Sequence, residues 1–254
     1  MRIDLNADVG ESYGAWVMGE DEALLPLVTS ANVACGAHAG DPLVMQRTVA
    51  LAARLGVAVG AHPGYPDRDG FGRRDLDMRP DELEASILAQ LGALWAFARV
   101  AGVPIVHVKA HGALYNRAAA HPQTAEIVAG AVRRFSRELV LVGLAGSVML
   151  DAGRAAGLAV ASEAFADRAY EADGSLRSRR LPGAVHVEPG DAAAQAVAIA
   201  RDRRVVTAEG QGVAIEADTI CLHGDTPDAA AHARAVRAAL ESAGVEIRAL
   251  ERGS

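Results

Sequence analysis

Polar and apolar residues alternate with a period of two in several short stretches of this chain, and amphipathic segments of helical period separate them. The pattern predicts strands over 2–8, 29–36, 57–62, 104–110, 139–145, 158–163 and 219–223. Helices are predicted over 42–55, 81–101, 122–137, 147–156, 191–203 and 228–243. Their ends are readable. Asp41-Pro42 places a capping side chain before a proline suited to the first helical position, and Gly56 follows the last periodic residue. Repeated strand-helix order predicts a parallel sheet and an α/β fold.

The alternation itself selects between two parallel architectures. Strands of an open, doubly wound sheet are covered on both faces and should be apolar nearly throughout. Here Ile3 and Leu5 alternate with Asp4, Asn6 and Asp8, while Ala31, Val33 and Cys35 alternate with Ser30 and Asn32. Likewise Val106, Val108 and Ala110 alternate with His107, Lys109 and His111, and Ile220 and Leu222 with Thr219, Cys221 and His223. One such strand is explained by a solvated edge, but a sheet has only two edges. The expectation is therefore an irregular (β/α) barrel of about seven parallel strands, apolar toward the helices and polar toward the axis.

Composition narrows the picture. No linker or repeat divides the 254 residues, so 1–254 is expected to form a single barrel domain. A net charge of −7 argues against nucleic acid as the main partner. No apolar run approaches the roughly 20 residues of a membrane span, and the N-terminus has no apolar signal core. Two cysteines, Cys35 and Cys221, form no disulfide framework, which points to the cytoplasm.

In a barrel the chemistry sits where strands finish. Asp8 and Glu11 follow the first strand, and this pair could bind a metal, act as acid and base, or cap the next helix. The second strand carries Asn32 toward the axis and leads to His38, with Asp41 most simply a helix cap. His62 ends the third strand, before a long glycine- and proline-rich loop that carries Arg73 and Arg74, either a carboxylate clamp or a solvated surface. Lys109, His111, Tyr115 and Asn116 come from the fourth. An inward lysine needs an acidic neighbour or an anionic ligand, and Asp4, Asp8 and Glu163 are the available partners. The sixth strand ends in Glu163, Asp167 and Arg168, and 171–183 is a second candidate lid. His223 ends the seventh. Histidines 38, 62, 111 and 223 thus share equivalent positions and one expected site, whereas His121, His186 and His232 are expected at the surface. No phosphate loop, dinucleotide turn, nucleophile elbow or standard metal motif occurs. The residue types suit proton transfer or hydrolysis at a polar small molecule.

The motifs "IDLNADVGES", "SANVACGAHAGDP", "GAHPGYPDRDGFGRR", "VKAHGALYN", "FADRAY" and "CLHGDTP" together resemble the LamB/YcsF family, to which the first of the three subunits of prokaryotic 5-oxoprolinase belongs. The resemblance runs in order from residue 3 to about 240. Ala7 and Ala37 stand where that family often has cysteine and an aromatic residue, which argues against an obligatory thiol at position 7. The resemblance implies a glycoside hydrolase/deacetylase-like barrel and ATP-dependent opening of 5-oxo-L-proline to L-glutamate. It also implies partner subunits B and C, with ATP handled together with them. On that reading Asp8 or Glu163 is the general base, and His62 or His111 the acid for the departing nitrogen. Lys109 stabilises an oxyanion or phosphorylated oxygen, Arg73 or Arg74 binds the substrate carboxylate, and Glu11 belongs to the same catalytic group. Asn32, His38, Tyr115, Asn116, Asp167, Arg168 and His223 are expected to line the substrate site. The rival enzyme reading is a metal-dependent deacetylase or amidohydrolase, which would need a divalent metal. A non-enzymatic rival is a binding module that presents substrate to its partners.

Overall fold

The computed structural model describes residues 1–222 and 228–253. Its strands are β1 (Arg2–Val9), β2 (Ser30–Ala34), β3 (Ala58–His62), β4 (Ile105–Lys109), β5 (Val140–Leu144), β6 (Ala159–Phe165), β7 (Arg204–Val206), β8 (Gly212–Ala214), β9 (Thr219–Leu222) and β10 (Glu246–Ile247). The helices are α1 (Asp21–Leu24), α2 (Pro42–Leu55), α3 (Pro80–Ala101), α4 (Gly112–Ala120), α5 (Pro122–Phe135), α6 (Val148–Ala155), α7 (Pro189–Val197) and α8 (Ala229–Ser242). Strands β1 to β6 pair in parallel in sequence order, β6 pairs with β9, and β9 pairs back to β1. That closure makes the seven-stranded parallel barrel expected from the alternation. Strand β10 extends the outer end of β1, and β7 and β8 form a separate antiparallel hairpin.

Helix boundaries follow local chemistry. Asp41 accepts from the amides of Leu43 and Val44 at 2.8 and 2.9 Å, Pro42 opens α2, and Gly56 closes it at φ 70°. Helix α4 leaves β4 directly and is an addition to the helices predicted from periodicity. It stops at His121 because the following Pro122 drives that residue to extended backbone, φ −115° and ψ 109°. Helix α3, at 22 residues and mean hydropathy 1.2, is long and apolar enough to cross a membrane by length and composition. That corrects the expectation that no run approaches such a length. In the fold, Leu83, Ile87, Leu91, Leu94 and Ala98 of α3 are buried, a stripe at helical spacing that belongs to the hydrophobic core.

Register decides which residues share the axis. Asn6 lies opposite Ser30, Asp8 opposite Asn32, Asn32 opposite Gly60, and Gly60 opposite His107. Farther round, His107 and Lys109 lie opposite Val140 and Val142, Val142 opposite Ala161, Glu163 opposite Thr219, and Cys221 opposite Asn6. Opposed residues point to one face, so these line the interior. The axial layer is therefore polar except beside β5, where Val140, Val142 and Ala161 form a small apolar cluster packed by Leu250. The opposite faces, including Ile3, Leu5, Val33, Val59, Val108, Leu141 and Ile220, belong to the main core.

Gly60 shows how tightly the axis is filled. A Cβ built there would lie 2.1 Å from Nε2 of His107, which reaches over β3 to donate to Asn32 Oδ1 at 2.7 Å. Gly60→Ala is expected to cost roughly 3 kcal/mol or more, combining overpacking with loss of a buried hydrogen bond. Urea denaturation measures this; a midpoint equal to that of the wild type would refute the role given to Gly60.

Candidate active site

At the ends of the barrel strands the axial residues converge on a cavity of about 620 Å³. Lys109 is its floor. The ammonium lies 3.0 Å from Asp8 Oδ1, 3.0 Å from Glu163 Oε1 and 2.9 Å from Cys221 Sγ. Burial alone would drive the lysine pKa down, but Asp8, Cys221 and Glu163 outweigh it and hold the group well above its ordinary value. Each carboxylate is in turn fixed. Asn6 Nδ2 donates to Glu163 Oε1 at 3.0 Å and Asn32 Nδ2 to Asp8 Oδ1 at 2.8 Å, while Asn32 also donates to Asn6 Oδ1 at 2.7 Å. Asp4 does not reach the lysine. One layer below, it accepts from Ser30, Thr29 and Thr219, and burial raises its pKa.

Beside this clamp stand three histidines and Glu11. His62 Nδ1 lies 2.8 Å from the Lys109 carbonyl, and His111 Nε2 lies 2.8 Å from the Phe71 carbonyl. A carbonyl only accepts, so both nitrogens carry protons and the rings present His62 Nε2 and His111 Nδ1 to one another, 3.0 Å apart. Asp8 Oδ2 is 3.3 Å from that same His62 nitrogen, so Asp8 links the histidines to Lys109. His38 stacks on His111 with centroids 3.7 Å apart. Neither nitrogen of His38 makes a hydrogen bond among the described residues, and Glu11 Oε1 lies 3.5 Å from its Nε2. Burial, followed by repulsion from neighbouring imidazoles, lowers the pKa of His38 and His111 well below the ordinary value. Glu11, His38, His62 and His111 each offer one ligand atom within 4.8 Å of the others, which makes them a group able to hold a metal among the described residues.

Remote residues set these rings. Gln90 on α3 clasps Gly64 with two 2.9 Å hydrogen bonds, and a Cβ at Gly64 would sit 2.9 Å from His38 Nδ1. Phe71 has φ 54°, uncommon for a bulky residue, and this turns its carbonyl to His111. The long glycine- and proline-rich loop after β3 is tied down here. Buried Asp67 accepts from Gly70 N at 3.0 Å and from Arg74 Nε at 2.9 Å.

Most of the residues nominated by sequence meet, though not all at the cavity. Asp8, Glu11, His62, Arg73, Arg74, Lys109, His111, Tyr115, Asn116 and Arg168 line it. Glu163 lies beneath Lys109 and is fully buried; Asn32 and His38 are also buried and sit behind the lining. Arg74 is committed to Asp67. Arg168 donates to the Arg177 and Ala184 carbonyls and so braces the 171–183 segment; burial brings its pKa down to about 10. Asp167 is buried beside it and not in the lining. His223 lies outside the described residues. His232, expected at the surface, is buried on α8. Sequence reasoning missed Asn6, His107, Asp67 and the Arg177, Arg179 and Arg180 of the second lid. For the first two, the period-two pattern that nominated Asn32 and Lys109 was signal enough. A second cleft of about 730 Å³ is bordered by Ser162 and Asp218, and two ion pairs lie within its lining, Arg154 with Asp151 and Arg203 with Glu216.

The model of the LamB/YcsF family matches residues 3–254. The chain belongs to that family. A curated relative from Chloroflexus aggregans, named as the A subunit of 5-oxoprolinase, is 59% identical over 248 residues, covering 98% of each chain. A crystal structure of a lactam utilization protein from Thermus thermophilus superposes with a TM-score of 0.94 at 49% identity, over 98% of this chain and 100% of that one. A GH113 β-1,4-mannanase shares the barrel alone, with TM-score 0.51 and 12% identity over 95% and 100% of the chains. Of the two departures from the LamB/YcsF pattern, Ala7 is on the outer strand face, opposite in sense to Asp8, so a cysteine there would face helices and not the cavity.

His107 offers a pH test of the axial network. Burial, then Lys109, lowers its pKa to about 3, against about 6.5 in an unfolded chain. Between those values the unfolded state binds the extra proton, so stability is retained above about pH 6.5 and lost as pH falls toward 3. His107→Gln is expected to flatten the dependence of unfolding free energy on pH by up to about 1.4 kcal/mol per unit between about pH 4 and 6. Parallel curves for the two proteins would contradict this assignment.

Proposed function

We propose that this chain is the ring-opening subunit of an ATP-dependent 5-oxoprolinase, which hydrolyses the lactam of 5-oxo-L-proline to give L-glutamate. The observation that carries the reading is full-length identity of up to 59% to relatives of that name, joined to a cavity whose floor is a buried lysine between two carboxylates. A five-membered lactam is a weak electrophile, so its carbonyl oxygen needs either a fixed cation or prior activation. Partner subunits B and C supply the ATP-dependent activation. The whole chain, 1–254, acts as one barrel domain in the cytoplasm, a location consistent with two free, buried cysteines.

Within the cavity Asp8 is the base for water, since it lines the space while Glu163 lies below. Glu163 holds Lys109 charged, and Lys109 stabilises the developing oxyanion or a phosphorylated oxygen. In their neutral forms His62 and His111 turn lone pairs toward each other, so they are poor proton donors to the departing nitrogen. Tyr115 also lines the cavity, and burial together with Glu163 keeps its hydroxyl protonated, so it can hydrogen-bond the departing nitrogen without giving up its proton readily. Arg73, stacked 4.9 Å from the Phe71 ring, receives the substrate carboxylate, with Arg179 and Arg180 at the rim.

Two experiments test this. Glutamate release from 5-oxo-L-proline and ATP is measured for this chain, for subunits B and C, and for all three. Release only from the full mixture is expected; none from well-folded proteins would reject the assignment. Removing Lys109 alone strands two buried carboxylates and costs about 3–5 kcal/mol. The informative variant is therefore Lys109→Met with Glu163→Gln, expected to fold and to lose at least ~100-fold in turnover. Near-normal turnover removes Lys109 from the chemistry.

A further inference from the structure

We propose that Glu11, His38, His62 and His111 form a binding site for one divalent first-row transition ion of the zinc class, opening onto the same cavity. The inference goes beyond the 5-oxoprolinase reading and does not depend on it, because binding is read without substrate. Three observations carry it.

The first is the tautomers. Two backbone carbonyls, of Lys109 and Phe71, each claim one ring N–H, so His62 Nε2 and His111 Nδ1 face each other as lone pairs at 3.0 Å. Nothing is gained from two facing lone pairs unless a proton or a cation lies between them. Fixing a ligating imidazole through a carbonyl on its other nitrogen is how metal sites orient their histidines.

The second is His38. It is only 1% exposed, its ring lies parallel to that of His111, and neither of its nitrogens makes a hydrogen bond among the described residues. A shared proton between His62 and His111 would leave His38 unexplained, whereas a cation gives it a partner. Glycines press it into place: Cβ atoms at Gly64 and Gly72 would lie 2.9 Å from His38 Nδ1 and 2.8 Å from His38 Cβ.

The third is the carboxylate. Glu11 Oε1 is 3.5 Å from His38 Nε2 and 3.6 Å from His111 Nδ1, completing a set of ligand atoms within 4.8 Å of one another. An imidazole-rich set with one carboxylate suits zinc, iron, cobalt or nickel rather than magnesium or calcium, which take oxygen. Glu11, His62 and His111 line the cavity, so the site is open to a ligand. The chemistry such an ion supplies is Lewis acidity toward a carbonyl or phosphoryl oxygen.

The test uses the full chain, loaded with zinc or cobalt(II), desalted, and assayed for metal by mass spectrometry and for cobalt by visible absorption. About one ion per chain is expected, as for a four-ligand site. His38→Ala, His111→Ala and Glu11→Gln should each weaken binding at least ~10-fold, and His121→Ala, at an exposed helix end, should not. Circular dichroism checks that each variant folds. Should a variant fail to fold, X-ray absorption of the zinc-loaded wild-type chain decides, with an imidazole-dominated shell as the supporting result. No stoichiometric ion in folded wild-type protein, or binding that survives all three substitutions, overturns the site and leaves a proton between His62 and His111.

Discussion

The arrangement depends on one buried ammonium. Taking Lys109 out of water costs several kcal/mol, and only a partner of opposite charge with further hydrogen bonds offsets that. Asp8 and Glu163 supply the charge, and Asn6 and Asn32 bind the same carboxylate oxygens. These contacts join β1, β2, β4 and β6, so the ion cluster acts as a cross-link at the barrel axis. Replacing such a cluster by apolar side chains is often neutral or stabilising. Its retention here is better understood through chemistry than through stability: it keeps one positive charge fixed at the floor of a cavity.

Asp8 makes this more than a charge pair. One oxygen meets Lys109 and the other faces His62 Nε2, so a change in charge on either side is felt on the other. At ~3 Å separations in a water-poor interior, such coupling is much stronger than in solvent. A carboxylate shared between a lysine and an imidazole cluster has its basicity set by both. This is a reason to expect the base function and any cation at the histidines to be tuned together.

Much of this is legible in the amino-acid sequence. Alternation in β1, β2, β4 and β9 names the barrel, since four half-polar strands cannot all be edges of one sheet. The same period nominates Asp8, Asn32, Lys109 and Glu163, because a residue's face follows from its parity along a strand. Depth along the axis cannot be read that way. Asp4 and Asp8 share a face, yet only Asp8 reaches Lys109, and that depends on the shear between strands. Loop geometry is equally hidden. Arg73 and Arg74 are indistinguishable in sequence, but the turn folded around Asp67 binds Arg74 and leaves Arg73 against Phe71. The facing lone pairs of His62 and His111 follow from where two carbonyls fall, and side-chain pattern does not encode carbonyl direction.

Charge distribution completes the argument. The chain carries a net −7, yet Arg73, Arg74, Arg168, Arg177, Arg179 and Arg180 all border one cavity. Like charges gathered at a rim repel each other unless something compensates them. Arg74 is answered by Asp67, Arg177 by Glu171, and Arg168 by backbone carbonyls. Arg179 and Arg180 are exposed on the 171–183 segment above a floor that already holds Lys109. A positive rim in an acidic protein focuses the field on its mouth and favours a small anion over a neutral or cationic ligand. A lactam bearing a carboxylate meets that requirement, and one whose oxygen also carries a phosphoryl group would meet it better. Against a net charge of −7 for the whole chain, this cluster of arginines sharpens the contrast in potential between the cavity mouth and the rest of the surface.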